Sequence, residues 1–274
     1  MARLIFCIDR IFPSTNIGGR GEEGEYSRWE YEVGRRLIED YSEYLGDLSG
    51  KLLLDAGCGP GGKTVVYAEE KARAVGVDIS SENIKMAKRF SMSKGMARYP
   101  VFMTASVERL PFDDCTFDIV VSNDAMEHFG DPFRAVSELG RVVKSGGHIV
   151  VFFTPWSSPL GSHLYDYIRT PWCHLIFPEW LIEELLRLVL RKRGERDPDI
   201  RAGQLMSEYR EELNRITIRE FEDIIARLPN LKIIYKRFIA PRYNFLSRLT
   251  SLPVVGKYLT NTVVAVLEKT QTSG

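Results

Sequence analysis

The chain has 274 residues, and its 37 Lys and Arg balance its 37 Asp and Glu, so the formal net charge is zero. This length suits one α/β domain with an elaboration, or one domain plus a small cap. The charge balance argues against nucleic acid as a main partner, because polyanion binding needs a basic surface. The four cysteines show no CxxC pair and no zinc-type histidine spacing, which predicts reduced thiols and no metal site.

The N-terminal 49 residues combine a loop and an amphipathic helix. The apolar patch Leu4–Ile8 is shorter than a signal-peptide core, and no run in the chain reaches the length of a membrane span, so we expect a cytoplasmic protein. Residues 13–25 are rich in glycine and lack apolar periodicity, which indicates a loop. Apolar residues then recur every three or four positions over 26–45, which predicts a helix. We expect 1–49 to act as a lid or cap.

A glycine-rich turn follows the first predicted strand. Leu54 leads into Asp55 and then into four glycines within positions 57–62. Glycine lacks a Cβ, so such a turn can bring backbone amides close to a ligand. Asp78 ends the next apolar strand, 21 residues after Gly57. At that distance a strand–turn–helix–strand unit brings a carboxylate beside the turn, where it can bind a ribose. The pattern predicts a nucleoside-containing cofactor.

Short apolar strands alternate with helices as far as Phe153, which predicts a doubly wound, parallel sheet. Asp131 followed by Pro132 predicts the start of one of these helices. The capping box Thr217–Glu220 predicts another helix, after which strands resume. The predicted strands are 51–55, 73–78, 100–104, 117–122, 148–153, 231–238 and 263–267.

Residues 154–216 interrupt this alternation. The segment begins with a loop rich in proline and aromatic residues, and helical stretches follow near 179–193 and 202–214. It comes directly after the fifth strand, and α/β folds bind their ligands outside the carboxyl ends of the strands. We therefore expect this insertion to form a substrate cap.

Four linked elements resemble the class I S-adenosylmethionine-dependent methyltransferases, specifically the group called type 11. They are Asp55-x-Gly57-x-Gly59-x-Gly61, the strand end at Asp78, Ser106 with Leu110-Pro111-Phe112 and Phe117-Asp118-Ile119-Val120, and Leu139-Gly140-Arg141-Val142-Val143-Lys144-Ser145-Gly146-Gly147. The resemblance covers roughly residues 50–155. It implies a Rossmann-like α/β sheet of seven strands, mostly parallel with the last strand antiparallel. The cofactor domain would then comprise 50–153 and 217–270.

The resemblance also implies S-adenosylmethionine as the cofactor and assigns roles to the matched positions. The glycine turn would approach the methionine part, Asp55 would anchor its ammonium, and Asp78 would accept both ribose hydroxyls. Ser106 stands where many relatives carry Asp, so it is a weaker acceptor for the adenine edge. The implied cofactor-binding residues are Asp55, Gly57, Cys58, Gly59, Gly61, Asp78, Ile79 against the adenine face, Ser106, Val107, and Asn123 near the transferable methyl.

The catalytic candidates are Glu127 and His128, after the fourth strand, and His163 in the insertion. Methyl transfer depends mainly on positioning, and a general base is needed only when the acceptor is protonated. His174, also in the insertion, is a further candidate base. The expected acceptor is a small molecule or a glycan- or lipid-linked group, with O-methylation favoured.

Two alternative functions remain open, and a membrane surface is a further possible partner. Gly57, Gly59 and Gly62 also satisfy G-x-G-x-x-G, which is compatible with an NAD(P)-dependent oxidoreductase. A non-catalytic protein of the methyltransferase fold is the second alternative. The stretches 180–196 and 243–258 mix basic and apolar residues, which suggests peripheral membrane contact. The sequence predicts neither the acceptor nor the oligomeric state.

Overall fold

A computed structural model describes residues 2–12, 24–96, 99–240, 252 and 255–270. Within these ranges the chain forms two compact units. The sheet unit is drawn from 18–153, 219–237 and 264–274, and the helical unit from 1–17, 154–218 and 238–263.

The described strands form one seven-stranded sheet. The strands are β1 (Leu52–Ala56), β2 (Arg73–Asp78), β3 (Val101–Thr104), β4 (Phe117–Asn123), β5 (Val143–Phe153), β6 (Leu231–Ile239) and β7 (Thr262–Lys269). Their order is β3-β2-β1-β4-β5-β7-β6. The first five strands in this order run parallel, and the last strands are antiparallel. The predicted α/β class and Rossmann-like sheet are therefore confirmed.

The register brings the chemistry-bearing strand ends to one edge of the sheet. Ala56 of β1 pairs with Val77 of β2, and Asn123 of β4 pairs with Phe152 of β5. Asp55, Asp78 and Asn123 therefore all lie at carboxyl ends of parallel strands, where doubly wound folds bind their ligands.

Helices connect the strands, and short polar residues cap the N-termini of two of them. The helices are α1 (Ala2–Asp9), α2 (Glu25–Asp40), α3 (Ser42–Leu45), α4 (Gly62–Glu69), α5 (Ser81–Ser93), α6 (Pro132–Val142), α7 (Cys173–Ile176), α8 (Glu179–Arg193), α9 (Pro198–Glu211), α10 (Ile218–Ala226) and α11 (Gly256–Leu259). Ser80 caps α5 by accepting from the amide of Asn83 at 3.2 Å. Asp131 caps α6 by accepting from the amide of Arg134 at 3.0 Å, as expected of short polar side chains before a helix.

The predicted helix 26–45 is divided at Tyr41, and its buried face differs from the apolar stripe. Ser27, Glu30, Gly34 and Leu37 are the buried residues of α2. A Cβ on Gly62 would lie 2.2 Å from the carbonyl oxygen of Ser27. The α2 helix therefore packs on α4 through small residues, which an apolar periodicity does not register.

Strand β5 begins five residues earlier than predicted, because Val143 pairs with β4 and the residues before His148 form an irregularity within the strand. Phe117 of β4 pairs with Val143, and a register shift follows before Ile119. A Cβ on Gly147 would lie 2.8 Å from the carbonyl oxygen of Asp118. The glycine run thus admits close strand approach at an irregularity.

The core of the sheet unit is formed by side chains of the sheet and of the helices that cover it. Leu53 and Val121 from the sheet pack with Leu37 and Leu45 from the covering helices and with Tyr67 of α4. Most of these side chains are fully removed from water, and such burial supplies about 1.5–3 kcal/mol per large apolar side chain. The strand ends that carry polar groups are thereby held on a rigid layer.

The helical unit has its own core, built from α8 and α9. Leu181, Leu185 and Leu190 of α8 pack with Leu205 and Met206 of α9. The observed α8 matches the stretch predicted at 179–193, whereas α9 begins at Pro198, earlier than predicted. The apolar patch near the N-terminus is a helix, α1, and Asp9 at its end accepts two 2.7 Å hydrogen bonds from Thr170.

The cysteines divide into two buried and two exposed thiols. Cys58 and Cys173 are buried, whereas Cys7 in the helical unit and Cys115 in the sheet unit are exposed. Burial raises the pKa of the Cys58 thiol well above its ordinary value. In the described ranges, none of the helices combines the length and the apolar character that a membrane crossing requires.

Candidate functional site

The glycine turn between β1 and α4 lies tightly against its surroundings. Gly57, Gly59 and Gly61 have φ angles of 77°, 53° and 78°, a region that favours glycine. A Cβ on Gly57 would lie 2.5 Å from the Cβ of Ala125, and one on Gly61 would lie 2.6 Å from the Cβ of Ala87. The turn therefore needs glycine for both its backbone angles and its packing.

Asp78 lies beside the turn and is fixed by three donors. The Gly59 amide donates to its Oδ2 at 2.9 Å, while the Ser80 amide and the Asn83 side chain donate to its Oδ1 at 2.8 and 3.2 Å. The carboxylate at the end of β2 is thus oriented by the same backbone that forms the cradle. Such preorganisation suits a residue that accepts hydrogen bonds from a ligand.

Asp55 is buried behind the turn. The Thr64 hydroxyl donates to its Oδ2 at 2.6 Å. Burial raises the pKa of Asp55 to about 6, although the Thr64 hydroxyl and the Lys63 ammonium lower it. A buried carboxylate of this kind is stabilised by a cation.

A second buried acid reaches the turn from α2. Glu30 Oε2 accepts from the Gly62 amide at 3.1 Å, and Glu30 Oε1 lies 3.7 Å from the Lys63 ammonium. Lys63 also pairs with Asp124 at 3.4 Å. Burial raises the pKa of Glu30 to about 7, against the opposing effect of Lys63. The expected site residues do not include Glu30 and Lys63, although the 3-4-3 spacing of Ser27, Glu30, Gly34 and Leu37 matches the buried face of α2.

Asn123 carries an orphaned polar atom at the end of β4. Its Oδ1 is buried and has no hydrogen-bond partner among the described residues. Asp124, the next residue, has a φ of 52°. A buried acceptor without a donor is costly, so a ligand that donates here would satisfy it. The structure thus places Asn123 at the same sheet edge as Asp55 and Asp78.

The three positions predicted against the adenine lie after β2 and β3. Ile79 is 76 % exposed, which leaves its side chain available to a ligand. Ser106 accepts from the Glu108 amide at 3.2 Å and so caps the short turn Val107–Arg109, while Val107 itself is buried.

The side chain of Arg141 links two of the matched motifs, Leu110-Pro111-Phe112 and the segment 139–147 in which it lies. Its guanidinium donates to the carbonyl oxygens of Phe112 at 2.7 Å and Leu110 at 3.1 Å. Glu138, one turn earlier on α6, accepts from the Leu110 amide and pairs with Arg141, both at 2.8 Å. The fork geometry of arginine suits such multiple contacts.

The catalytic candidates fall in different units. Glu127 and His128 lie in the short turn Met126–His128 after β4, where Glu127 is buried and His128 is exposed. His163 belongs to the helical unit, with a φ of 56° and its ring centroid 6.2 Å from that of Tyr165. His174 donates from Nε2 to the Trp156 carbonyl at 2.7 Å, and burial lowers its pKa. The neutral His174 is therefore engaged in packing.

The stretches predicted to contact a membrane are only partly described. Helix α8 covers most of 180–196, and its Arg187 pairs with Glu183 at 2.5 Å while Arg191 pairs with Asp199 at 3.0 Å. Of 243–258, residues 243–251, 253 and 254 lie outside the described residues.

Comparison with known proteins yields a family match for the central part of the chain. A family model described as a methyltransferase domain matches residues 54–151. An uncharacterized methyltransferase of Mycobacterium leprae is 33% identical over 138 residues, which cover 47% of this chain and 50% of that protein. The ubiquinone biosynthesis O-methyltransferase of Aliivibrio fischeri is 28% identical over 184 residues, covering 67% of this chain and 72% of that protein. The chain spans about half the length of the first of these relatives.

Solved structures share the fold. The geranyl diphosphate C-methyltransferase of Streptomyces coelicolor, determined with Mg²⁺, geranyl diphosphate and S-adenosyl-L-homocysteine, superimposes with a TM-score of 0.57 at 18% identity. The match covers 94% of this chain and 88% of that chain.

The family match decides between S-adenosylmethionine and NAD(P), the two cofactors with which the glycine spacing alone is compatible. It includes the glycine turn, Asp78, Asn123 and the Arg141 fork. The positive-φ cradle, the buried acids and the orphaned Asn123 oxygen fit a ligand with a cationic amino-acid end and a ribose. The predicted resemblance, fold and cofactor are thus confirmed, and residues 54–151 match a methyltransferase domain of the class I S-adenosylmethionine-dependent type.

Proposed function

We propose that this chain transfers a methyl group from S-adenosylmethionine to a small-molecule or a glycan- or lipid-linked acceptor. The observation that carries the proposal is the cradle itself. Gly57, Gly59 and Gly61 remove three side chains from the turn, Asp55 precedes it on β1, and Asp78 accepts from its Gly59 amide, all within the matched domain.

Each residue of the cradle has a role in holding the cofactor. Asp78 accepts from the ribose hydroxyls, Asp55 faces the methionine ammonium, and Asn123 accepts from a donor near the methyl group. When bound, S-adenosylmethionine supplies an electrophilic methyl group on a sulfonium. The protein then has to align the acceptor and exclude water, because positioning supplies much of the acceleration.

A general base is required if the acceptor is a hydroxyl. Glu127, His128 and His163 remain our candidates for this role. A base at Glu127 would act from the sheet unit, directly after β4, and a base at His163 would act from the insertion. We expect loss of the true base to lower kcat with little change in the cofactor Kd.

The relatives support an oxygen acceptor more than a carbon acceptor. The Aliivibrio fischeri relative is named for O-methylation in ubiquinone biosynthesis and is 28% identical over two thirds of this chain. The structural neighbour named for C-methylation of geranyl diphosphate is only 18% identical. We therefore propose O-methylation, with lipid-linked hydroxyls as the first acceptors to test.

The cofactor assignment is tested by calorimetric titration with S-adenosylmethionine and, separately, NADH. We expect saturable binding of S-adenosylmethionine only, and a Kd raised about tenfold or more in Asp78→Ala, since hydrogen bonds to a charged group contribute about 1.5–3 kcal/mol. Glu82→Ala, an exposed acid on the next helix, is the matched control. Binding of NADH in place of S-adenosylmethionine would contradict the proposal.

Catalysis is tested by the release of S-adenosylhomocysteine over a panel of acceptors. The panel should contain phenols, isoprenoid alcohols and diphosphates, and lipid-linked saccharides. Turnover with any hydroxyl acceptor supports the proposal. Saturable cofactor binding without turnover on any member would favour the non-catalytic alternative.

We also propose that the helical unit contacts a membrane or a lipid-linked acceptor. Leu175, Ile176 and Trp180 are exposed apolar side chains on α7 and α8, and the last turn of α8 carries three basic residues. The exposed apolar side chains lie at the start of α8 and the basic ones at its end, so apolar contact with lipid and attraction to anionic headgroups would act at opposite ends of the helix.

A further inference from the structure

Helix α2 brings a carboxylate directly onto the glycine turn. Glu30 Oε2 accepts from the Gly62 amide at 3.1 Å. The other oxygen, Oε1, lies 3.4 Å from the position that a Cβ on Gly59 would occupy. Glu30 is only 4 % exposed, although it is ionisable and far in sequence from the turn. Burial of an acid at this place needs an explanation, because removing a carboxylate from water is costly even with the Lys63 ammonium 3.7 Å away.

The charges around Glu30 do not balance among the described residues. Glu30 and Asp55 are two buried carboxyls, whereas Lys63 contributes one ammonium, which pairs with Glu30 and also with the exposed Asp124. Burial raises the pKa of both Glu30 and Asp55 against the opposing effect of Lys63. A cationic ligand would supply the missing charge.

We propose that Glu30 is a cofactor-binding residue that, together with Asp55, receives the ammonium of the methionine moiety. The inference rests on the proposed function, because it takes S-adenosylmethionine as the ligand of the turn. Helix α2 is then part of the site for the amino-acid end of the cofactor. The sheet edge holds the ribose through Asp78, and α2 adds a second, separate anchor.

The rival explanation is purely structural. Glu30 accepts from the first amide of α4, so it also satisfies a helix N-terminus. If this were its whole role, removing its charge would disturb the turn and weaken every ligand that binds there. If Glu30 binds the ammonium, removing its charge weakens only ligands that carry the amino-acid end. If its role is structural, the change weakens all ligands of the turn.

The test compares two ligands that differ in the amino-acid end. S-adenosylhomocysteine carries the ammonium, and 5′-methylthioadenosine has the same nucleoside without it. Calorimetry on the full chain should show that Glu30→Gln raises the Kd for S-adenosylhomocysteine about tenfold, since a charged hydrogen bond contributes roughly that factor or more. The Kd for 5′-methylthioadenosine should be unchanged. Glu32→Gln, an exposed acid on the same helix, should alter neither.

The outcomes separate this inference from the proposed function. Equal weakening of both ligands in Glu30→Gln, or no weakening of either, would overturn the role of Glu30 while leaving the cofactor assignment intact. Failure of the unaltered chain to bind either ligand would overturn the proposed function itself and this inference with it.

A second readout needs no substitution. The charged and titratable groups facing Glu30 are Lys63 and Tyr67 of α4, Asp55 of β1, Cys58 in the turn and Asp124 after β4. An arriving ammonium lowers the pKa of Glu30, so binding near pH 7 should release protons. Titrations of S-adenosylhomocysteine in two buffers of different ionisation enthalpy measure this release, and 5′-methylthioadenosine should show less of it. Equal release with both ligands would contradict the proposal.

Discussion

Glu30 and Asp55 are two acids that the fold keeps away from water, and each has its pKa raised chiefly by burial. A carboxyl with a raised pKa in the folded state holds its proton longer than the unfolded chain does. Its contribution to stability is complete below the unfolded pKa and is lost as the pH rises through the folded pKa. The relevant window runs from the ordinary value near 4.5 to about 7 for Glu30.

We therefore predict that Glu30→Gln gains stability relative to the unaltered chain as the pH rises. Glutamine retains the acceptor for the Gly62 amide but carries no buried charge. One pKa unit corresponds to about 1.4 kcal/mol, and part of the titration is complete at pH 5, so the gain between pH 5 and pH 8 should be about 2.5 kcal/mol. Urea unfolding of the ligand-free protein at both pH values measures it.

Glu32→Gln is the control for that experiment, because Glu32 is exposed on the same helix. Its difference from the unaltered chain should not vary with pH. A Glu30→Gln difference that stayed constant from pH 5 to pH 8 would show that the carboxyl of Glu30 ionises normally in the folded state.

At the scale of single residues, the sequence predicts contacts within one strand–turn–helix–strand unit. The spacing of Gly57 and Asp78 placed a carboxylate beside the turn, and the Gly59 amide indeed donates to Asp78. The sequence does not predict the role of Glu30, whose side chain accepts from the amide of Gly62, 32 residues later. An acid on an amphipathic helix is usually solvated, so only the tertiary contact distinguishes this one.

At the scale of the elements, the glycine turn and α4 form one rigid piece. Gly61 precedes α4 with a φ of 78°, and a Cβ there would lie 2.6 Å from the Cβ of Ala87 and 2.8 Å from the ring of Phe102. Strain and overlap therefore act together at this position. Elsewhere in the chain Gly146 shares the backbone strain without the overlap, since nothing lies within 4 Å of its Cβ position.

We predict that Gly61→Ala is more damaging than Gly146→Ala. The left-handed backbone alone should cost about 1 kcal/mol at Gly146, and overpacking should add about 2 kcal/mol at Gly61. Denaturant unfolding of the two variants measures the difference. Equal losses would mean that α5 and β3 yield to the added methyl group without cost.

Element boundaries show what local patterns do and do not determine. Capping by Ser80 and by Asp131 with Pro132 was predictable, because those hydrogen bonds span three residues. The early start of β5 was not, because Gly146 and Gly147 are typical turn residues and the pairing of Val143 with Phe117 of β4 is a contact between distant parts of the chain.

At the scale of the whole molecule, the sheet and the insertion differ in how far they could be predicted. Alternating strands and helices predicted the doubly wound sheet, and four ordered motifs predicted the cofactor. Residues 154–216 carry no such motif, and their helices form a separate core with α1. The acceptor therefore cannot be deduced from the features that reveal the cofactor.

We predict that the helical unit binds anionic vesicles through α7 and α8. Vesicles of phosphatidylcholine with phosphatidylglycerol should shift the tryptophan emission of the protein, and Trp180→Ser should lower the vesicle partition coefficient roughly fivefold, because its exposed ring would lose apolar burial. Met92→Ser removes an exposed apolar residue from the sheet unit and should leave partition unchanged. Equal effects of the two substitutions, or no partition at all, would argue against the membrane contact.

The distribution of the thiols makes the natural chain suitable for distance spectroscopy. One accessible cysteine lies in each compact unit, Cys7 in the helical unit and Cys115 in the sheet unit, and the other two are buried. Maleimide spin labels or a donor–acceptor dye pair should therefore attach at two defined points without prior mutagenesis. Because the high pKa keeps Cys58 protonated, labelling should spare the glycine turn. The distance between the two labels thus becomes measurable in the unaltered protein, with and without S-adenosylmethionine.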